Sequence, residues 1–210
     1  AGLNISLADL KNPGSGKLEL TSALAFENSS TNAAGLAAKL TGSFGFDLTA
    51  DLQPARFNGK ANLTIEKATG AFSEVAALGA TLDTEASPTE IKQLTLSFTQ
   101  GGARLGEVRV NGPFDATKSE GKLNVAVLSL DRRVLNLAGA ASGIDFGTTV
   151  VNSTNVIELS KAGAVITAVG QLDAARVAIT RQKQTTPTLD FRCDYAVTVD
   201  NTGKSALLQK

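Results

Sequence analysis

An unusually long alternation of apolar and polar residues constrains this chain more than any other feature. From Leu36 to Gln53, every even position is apolar or glycine, and the odd positions from Lys39 are polar or glycine. A helix would spread these residues around its axis, whereas a strand places every second residue on one side. At about 3.4 Å per residue, the segment would extend ~60 Å as one strand. Gly42 and Gly45 are candidates for a bulge or bend within it.

The same alternation recurs along the rest of the chain. It is visible in residues 17–27, 56–65, 94–99, 108–110, 122–127 and 189–200, with turn-forming clusters at 12–16, 53–55, 100–102, 111–113 and 200–203. One apolar and one polar side per strand indicate an antiparallel sheet with one solvated face. The sequence therefore predicts an all-β fold, a long twisted antiparallel sheet curled into a groove. Residues 1–210 are expected to form a single elongated segment, part of a longer chain.

Two segments depart from the alternation. Residues 69–80 fit neither a strand nor a helix clearly. Residues 131–138 predict one short helix, because Asp131 is a suitable N-cap, Val134, Leu135 and Leu137 form an apolar side, and Gly139 is a suitable end.

Residue types needed for most catalytic sites are missing. The chain has no His and one Cys, which excludes a Ser-His-Asp or Cys-His nucleophile, His-ligated zinc and a cysteine-rich metal site. No phosphate-binding loop follows a strand and precedes a helix. The sequence therefore predicts no enzyme activity, no cofactor and no metal. The lone Cys193 falls on the apolar side of its strand, where a buried structural thiol is expected.

Two carboxylate pairs need separate consideration. Asp47 with Asp51, and Asp190 with Asp194, each share one side of a predicted strand, roughly 13 Å apart. Glycosidase carboxylates lie about 5 to 9.5 Å apart, so these pairs fit a solvated, charged face, with Arg192 between the second pair. A calcium site is the alternative, and it would need further acidic loop ligands.

Charge and hydropathy limit the partners. Lys+Arg and Asp+Glu are both 20, so the formal net charge is zero, and no long-range field attracts nucleic acid. The best apolar stretch, residues 162–170, is too short for a transmembrane helix. Because the chain begins at Ala1 without Met, we expect a processed chain or an excised piece of a longer protein, with any membrane anchor lost.

The apolar side of the predicted sheet is the candidate binding surface. Leu, Val, Ala and Phe dominate it with few polar interruptions, which suits acyl chains better than polar substrates. The residues predicted to line a lipid groove are Leu18, Leu20, Leu24, Phe26, Leu36, Leu40, Phe44, Phe46, Leu48, Leu52, Phe57, Leu63, Ile65, Leu94, Leu96, Phe98, Val108, Val110, Leu123, Val125, Val127, Phe191, Tyr195 and Val197.

Four segments of the sequence have a familiar form: residues 16–20 (GKLEL), 88–98 (PTEIKQLTLSF), 105–115 (LGEVRVNGPFD) and 128–135 (LSLDRRVL). They resemble the AsmA-like family of bacterial envelope proteins, which are related to TamB and the bridge-like lipid-transfer proteins. The resemblance implies a periplasmic β-groove that the full-length protein anchors at the inner membrane. It also implies phospholipid passage towards the outer membrane, or support of outer-membrane assembly.

Two other readings stay open from the sequence. A structural or adhesive extracellular β-sandwich would bury the same apolar residues in a closed core and bind no ligand. An enzyme would have to use carboxylates or lysines without a visible constellation. Exposed sheet edges also favour edge-on self-association, or pairing with neighbouring segments of the same long chain.

Overall fold

The computed structural model describes residues 2–6, 14–28, 34–139 and 142–209. Within them, thirteen strands form one antiparallel sheet, with one α-helix and one 3₁₀ helix. The strands are β1 (Gly2–Ser6), β2 (Ser15–Asn28), β3 (Ala34–Leu48), β4 (Pro54–Ala68), β5 (Leu78–Ser87), β6 (Glu90–Gln100), β7 (Ala103–Asp115), β8 (Glu120–Asp131), β9 (Ile144–Ser160), β10 (Val165–Arg181), β11 (Gln184–Thr185), β12 (Leu189–Asp200) and β13 (Ser205–Leu208).

Strand order in space follows strand order in sequence. From β1 to β10 each strand pairs with the next, and β12 and β13 continue the sheet, while the short β11 pairs with β10. The path starts at β1 and ends at β13 without closing into a barrel. The structure confirms the predicted all-β fold, a long unclosed antiparallel sheet that curls and carries one short α-helix.

The long alternating segment is shorter as a strand than its pattern predicts. β3 ends at Leu48, and a turn precedes Pro54, in which Thr49 N–H donates to Gln53 O (2.8 Å) and Leu52 has φ 59°. The prediction of a strand reaching Gln53 is therefore wrong, because the alternation continues by chance through a turn. The bulge predicted at Gly42 and Gly45 is also absent, since pairing with β4 stays regular from Ala38 to Asp47.

A second turn lies elsewhere than predicted. Gly112 and Pro113 belong to β7, and the β7–β8 pairing merely skips them, with Gly112 at φ 137°. Proline has no N–H to donate, so the interruption in the ladder accommodates it. The chain reverses after Asp115, whose carboxylate accepts hydrogen bonds from Thr117 N–H and Lys118 N–H, both 3.0 Å.

The two helical segments cover part of one face of the sheet. The ambiguous segment forms the 3₁₀ helix Gly70–Val75 and then enters β5. The predicted helix is confirmed as α1 (Arg132–Gly139), and Asp131 Oδ1 accepts from Arg133 N–H at 3.0 Å, as expected of an N-cap.

The dry core lies where these helices meet the sheet. It comprises Ala38, Ile65, Phe72, Val75, Leu78, Leu105 and Val134, with Leu36, Leu63, Ala68, Phe98, Leu130 and Leu137 packed against it. Leu78 is 0% exposed and Ile65 2%. Strands β3 to β8, the 3₁₀ helix and α1 all contribute, so this cluster holds the middle of the sheet together.

The rest of the sheet leaves much of its surface in solvent. A compact monomer of 21.6 kDa is expected to expose about 9,200 Å², whereas this chain exposes 12814 Å². The excess is what an open sheet produces when only part of one face is covered.

Candidate functional site

Register places residues from ten strands in continuous rows across one face. Residues directly opposite each other in antiparallel strands point to the same side, so a chain of such pairs defines a face. One row is Leu18, Phe44, Gly59, Thr84, Leu94, Val110, Val125, Asn155, Gly170 and Tyr195. The next is Leu20, Gly42, Ala61, Leu82, Leu96, Val108, Val127, Ser153, Leu172 and Cys193. We call the side that carries these rows the apolar face, and the opposite side the outer face.

The structure brings nearly all of the predicted lining residues to the apolar face. Leu24 pairs with Ala38, Leu40 with Leu63, Phe46 with Phe57, Phe98 with Gly106, Leu123 with Ile157, and Val197 with Ala168. Leu52 is a correction, because it lies in the turn after β3 and is 63% exposed. Phe26 pairs with Leu36 through its backbone, but its side chain lies outside the described part of the structure.

Burial divides the apolar face into two regions. Beneath the helices, the side chains of the core cluster are almost completely buried. Away from the helices they are half-buried, and some are well exposed: Phe57 is 40%, Phe191 46% and Leu24 48% exposed. A closed sandwich core would bury these large side chains almost completely. The apolar face therefore offers uncovered apolar surface that water solvates poorly.

Aromatic rings next to glycines form the most distinctive part of the uncovered region. The Phe44 and Phe57 rings stack with centroids 5.6 Å apart and planes 14° from parallel. A Cβ on Gly59 would lie 2.1 Å from the Phe44 ring, and one on Gly16 would lie 2.1 Å from the Phe46 ring. Glycine is therefore required beside each ring, which lies flat across the neighbouring strand and smooths the apolar face.

A polar group interrupts the apolar face between β8 and β12. The Tyr195 hydroxyl reaches across Gly170 and donates to Asn155 Oδ1. Asn155 Nδ2 in turn donates to Ser153 Oγ (2.5 Å) and Val125 O (3.3 Å). A Cβ on Gly170 would come within 2.2 Å of Asn155 Oδ1. The polar atoms satisfy each other, so this group ties three strands together at little desolvation cost. Cys193, predicted to be buried, is partly exposed next to Tyr195.

The outer face carries the charges. Cross-strand ion pairs join Lys60 to Asp83 (3.0 Å), and Glu85 to Arg56 and Lys92 (both 3.2 Å). Such exposed pairs contribute little stability, about 0–1 kcal/mol each. They make the outer face well hydrated, in contrast to the apolar face behind it.

Among the side chains that the structure describes, Glu107 is the one deeply buried carboxylate of the outer face, with a side chain 8% exposed. Its Oε2 accepts from Arg104 Nη2 (2.6 Å) and Ser97 Oγ (3.1 Å), and its Oε1 from Arg109 Nε. Burial alone would raise the pKa of Glu107. The hydrogen bonds from Arg109 and Ser97 and the two guanidinium charges outweigh that effect, so its pKa lies below the usual range.

The structure separates the members of one carboxylate pair and keeps the members of the other on one face. Asp47 lies on β3 opposite Arg56, while Asp51 falls in the following turn, so they do not share a strand face. Asp190 and Asp194 do share the outer face of β12 with Arg192 between them. No group of three His, Cys, Asp or Glu residues suited to a metal ion occurs among the described residues.

Comparisons of the chain with family models, curated proteins and solved structures found no match. Function must therefore be inferred from the two faces themselves. No helix in the described ranges is long and apolar enough to cross a membrane.

Sequence reasoning missed part of the apolar face. Leu82, Ile157, Ala168 and Leu172 lie on this face, as does the Asn155 group. The alternation Ser153, Asn155, Ile157 and Leu159 runs through β9, but β9 is rich in Asn and Thr, which hides the apolar side. The pairing of β9 with β8 and β10 reveals it.

Proposed function

We propose that the apolar face binds the acyl chains of phospholipids or related lipids. The observation that carries the proposal is the row of Leu, Val and Phe side chains that crosses an unclosed sheet and stays half-exposed. Acyl chains would remove this surface from water, with a gain of roughly 25 cal/mol per Å² of apolar area.

The distribution of polar groups supports a lipid rather than a polar ligand. Charged side chains lie on the outer face, and the Asn155 group of the apolar face is internally satisfied. A polar substrate would find few hydrogen-bond partners on the apolar face, whereas a hydrocarbon chain needs none. The segments that resemble the AsmA-like family support a setting in the bacterial periplasm, with lipids passing between the inner and outer membranes and the chain forming part of a longer protein anchored at the inner membrane.

Native mass spectrometry of the purified chain, with organic extraction of what co-purifies, tests the proposal. We expect one or more phospholipids bound per chain, and uptake of lipid when delipidated protein is incubated with phosphatidylethanolamine and phosphatidylglycerol vesicles. A clean apo mass before and after vesicle incubation would contradict lipid binding and favour a structural module. The test variant is the Phe46→Asp chain, which should remain folded and take up no lipid.

A further inference from the structure

The outer edge of β12 is only partly covered by another strand. β12 pairs with β10 from Leu189 to Asp200, but β13 pairs with it only from Val197 to Asp200. Beyond β13, Gln209 N–H donates to Ala196 O at 2.8 Å. No strand in the described part of the chain pairs with the outer edge between Leu189 and Cys193.

Exposed apolar side chains concentrate at the same edge. Leu189 (49%) and Phe191 (46%) lie on β12, and Leu207 (58%) and Leu208 (70%) lie on β13. An open edge that also exposes large apolar side chains is a template for another strand, because pairing satisfies its backbone and covers its side chains together.

Backbone directions identify the groups that a further strand would meet. Ala196 O points to the outer edge, whereas Asn201 N–H donates to Ala164 O on the inner side. Because directions alternate along a strand, Asp190 and Arg192 turn their N–H and C=O groups outward. Their side chains carry opposite charges, and within the described part of the chain they hydrogen-bond to neutral groups: Arg176 N–H donates to Asp190 Oδ1 (2.8 Å), and Arg192 Nη2 donates to Gln171 Oε1 (2.9 Å).

We propose that a second copy of this chain pairs with this edge, β12 against β12 in antiparallel orientation, about a two-fold axis through Phe191. Asp190 of each copy then lies opposite Arg192 of the other, which gives two ion pairs on the outer face. Phe191 faces Phe191 on the apolar face, and Leu189 faces Cys193, so both exposed side chains become covered. The apolar faces of the two copies join into one.

Other two-fold registers fit less well. An axis through Arg192 would place Arg192 opposite Arg192 and Asp190 opposite Asp194, which like charges disfavour. An axis through Cys193 would require the edge as far as Ala196, whose carbonyl already accepts from Gln209 N–H. The chosen register uses a short stretch of edge, so the dimer is expected to be weak and concentration-dependent.

Cysteine cross-linking tests the register. Phe191→Cys in a Cys193→Ser background places two thiols at a position without ladder hydrogen bonds, where Cα atoms lie about 4.5 Å apart, within disulfide range. Under mild oxidation at high protein concentration we expect most of this variant to form a covalent dimer. Val169→Cys in the same background, equally exposed but off the edge, should cross-link at least tenfold more slowly. Equal cross-linking rates for the two variants would overturn the proposal. So would a native chain that cross-links through Cys193 faster than the Phe191→Cys variant does through its introduced thiol.

Charge exchange provides a second measurement that does not depend on disulfides. Asp190→Arg sets two positive charges against each other across the axis and should abolish the dimer in sedimentation velocity. Asp190→Arg combined with Arg192→Asp restores opposite charges and should restore it. A native chain that remains monomeric at millimolar concentration, or a double variant that is no better than the single one, would contradict the pairing.

Discussion

Neighbouring residues of one strand meet opposite environments in this sheet. On β3, Phe46 lies against Gly16 on the apolar face, while Ser43 Oγ donates to Glu19 Oε1 at 3.1 Å on the outer face. The effect of a substitution should therefore depend on which face of the sheet the residue lies on, as much as on the chemistry of the new side chain.

Phe46→Asp is expected to abolish acyl-chain binding and to lower the free energy of unfolding by only about 1–2 kcal/mol, because the side chain is half-exposed. Far-UV circular dichroism and lipid uptake from vesicles measure the two effects. Thr41→Asp, on the outer face of the same strand, is the control and should leave uptake unchanged. Unfolding of the Phe46→Asp chain would instead indicate a closed core, in which an unpaired charge cannot be tolerated.

Glu107→Gln should destabilise the protein by about 1–3 kcal/mol at neutral pH, because it removes the carboxylate that Arg104 and Arg109 share. The folded-state pKa of Glu107 is lowered from 4.5, so its contribution is present above that value and is lost as pH falls through the folded pKa. Urea unfolding at pH 7 and pH 3 should show the larger difference between native and variant chains at pH 7, and a difference that has decreased at pH 3. A pH-independent difference would assign the effect to packing.

At the scale of elements, the helices decide which part of the sheet behaves as a core. A polar contact joins the 3₁₀ helix to α1, since Arg132 Nη1 lies 2.9 Å from Glu74 Oε2, and another joins α1 to β6, since Arg133 Nη1 donates to Gln100 Oε1 at 3.0 Å. Beneath them the apolar residues are dry, and beyond them the same residue types remain half-exposed.

Leu78→Ala should cost about 2–5 kcal/mol, because Leu78 is fully buried under the helices and its removal leaves a cavity. Leu24→Ala, on the uncovered region of the same face, should cost under about 1 kcal/mol in the lipid-free chain. Thermal and chemical unfolding of both variants measure the contrast. Similar costs would mean that the face is buried uniformly.

Asp131→Ala removes the N-cap of α1 and should cost about 1 kcal/mol, with faster hydrogen exchange in residues 132–139. Asp131→Asn keeps an acceptor for Arg133 N–H and is expected to retain most of the protection. If both variants exchange alike, the carboxylate charge rather than the cap stabilises α1.

Alternation and capping made the main elements of this fold predictable. Alternation within each strand placed Leu18, Phe44, Leu96 and Val125 on its apolar side. Asp131, as a suitable N-cap, and Gly139, as a suitable end, predicted the bounds of α1. The end of β3 was not predictable, because Ala50 and Leu52 keep the pattern through a turn where Leu52 adopts a positive φ. The apolar side of β9 was also hidden, since Ser153 and Asn155 become part of it only through pairing with β8 and β10.

At the scale of the whole molecule, the large surface area implies an extended particle. A compact chain of this length would have a radius of gyration of about 17 Å, and small-angle X-ray scattering of dilute lipid-free protein should give a clearly larger value. A fluorescent apolar dye should bind the native protein without denaturant and be displaced by lipid. A radius near 17 Å with no dye binding would indicate that the sheet closes on itself in solution.

Because strand order in space follows strand order in sequence, the sheet can change in size by whole hairpins. Each strand on the path contacts only the strands beside it, so a hairpin could be gained or lost at either side without rethreading the rest. With twelve strands on the path, at about 4.8 Å per spacing, the sheet measures roughly 53 Å across. A duplicated hairpin would lengthen it by about 10 Å. The width of such a sheet therefore changes in steps of one hairpin, and each step has the same size.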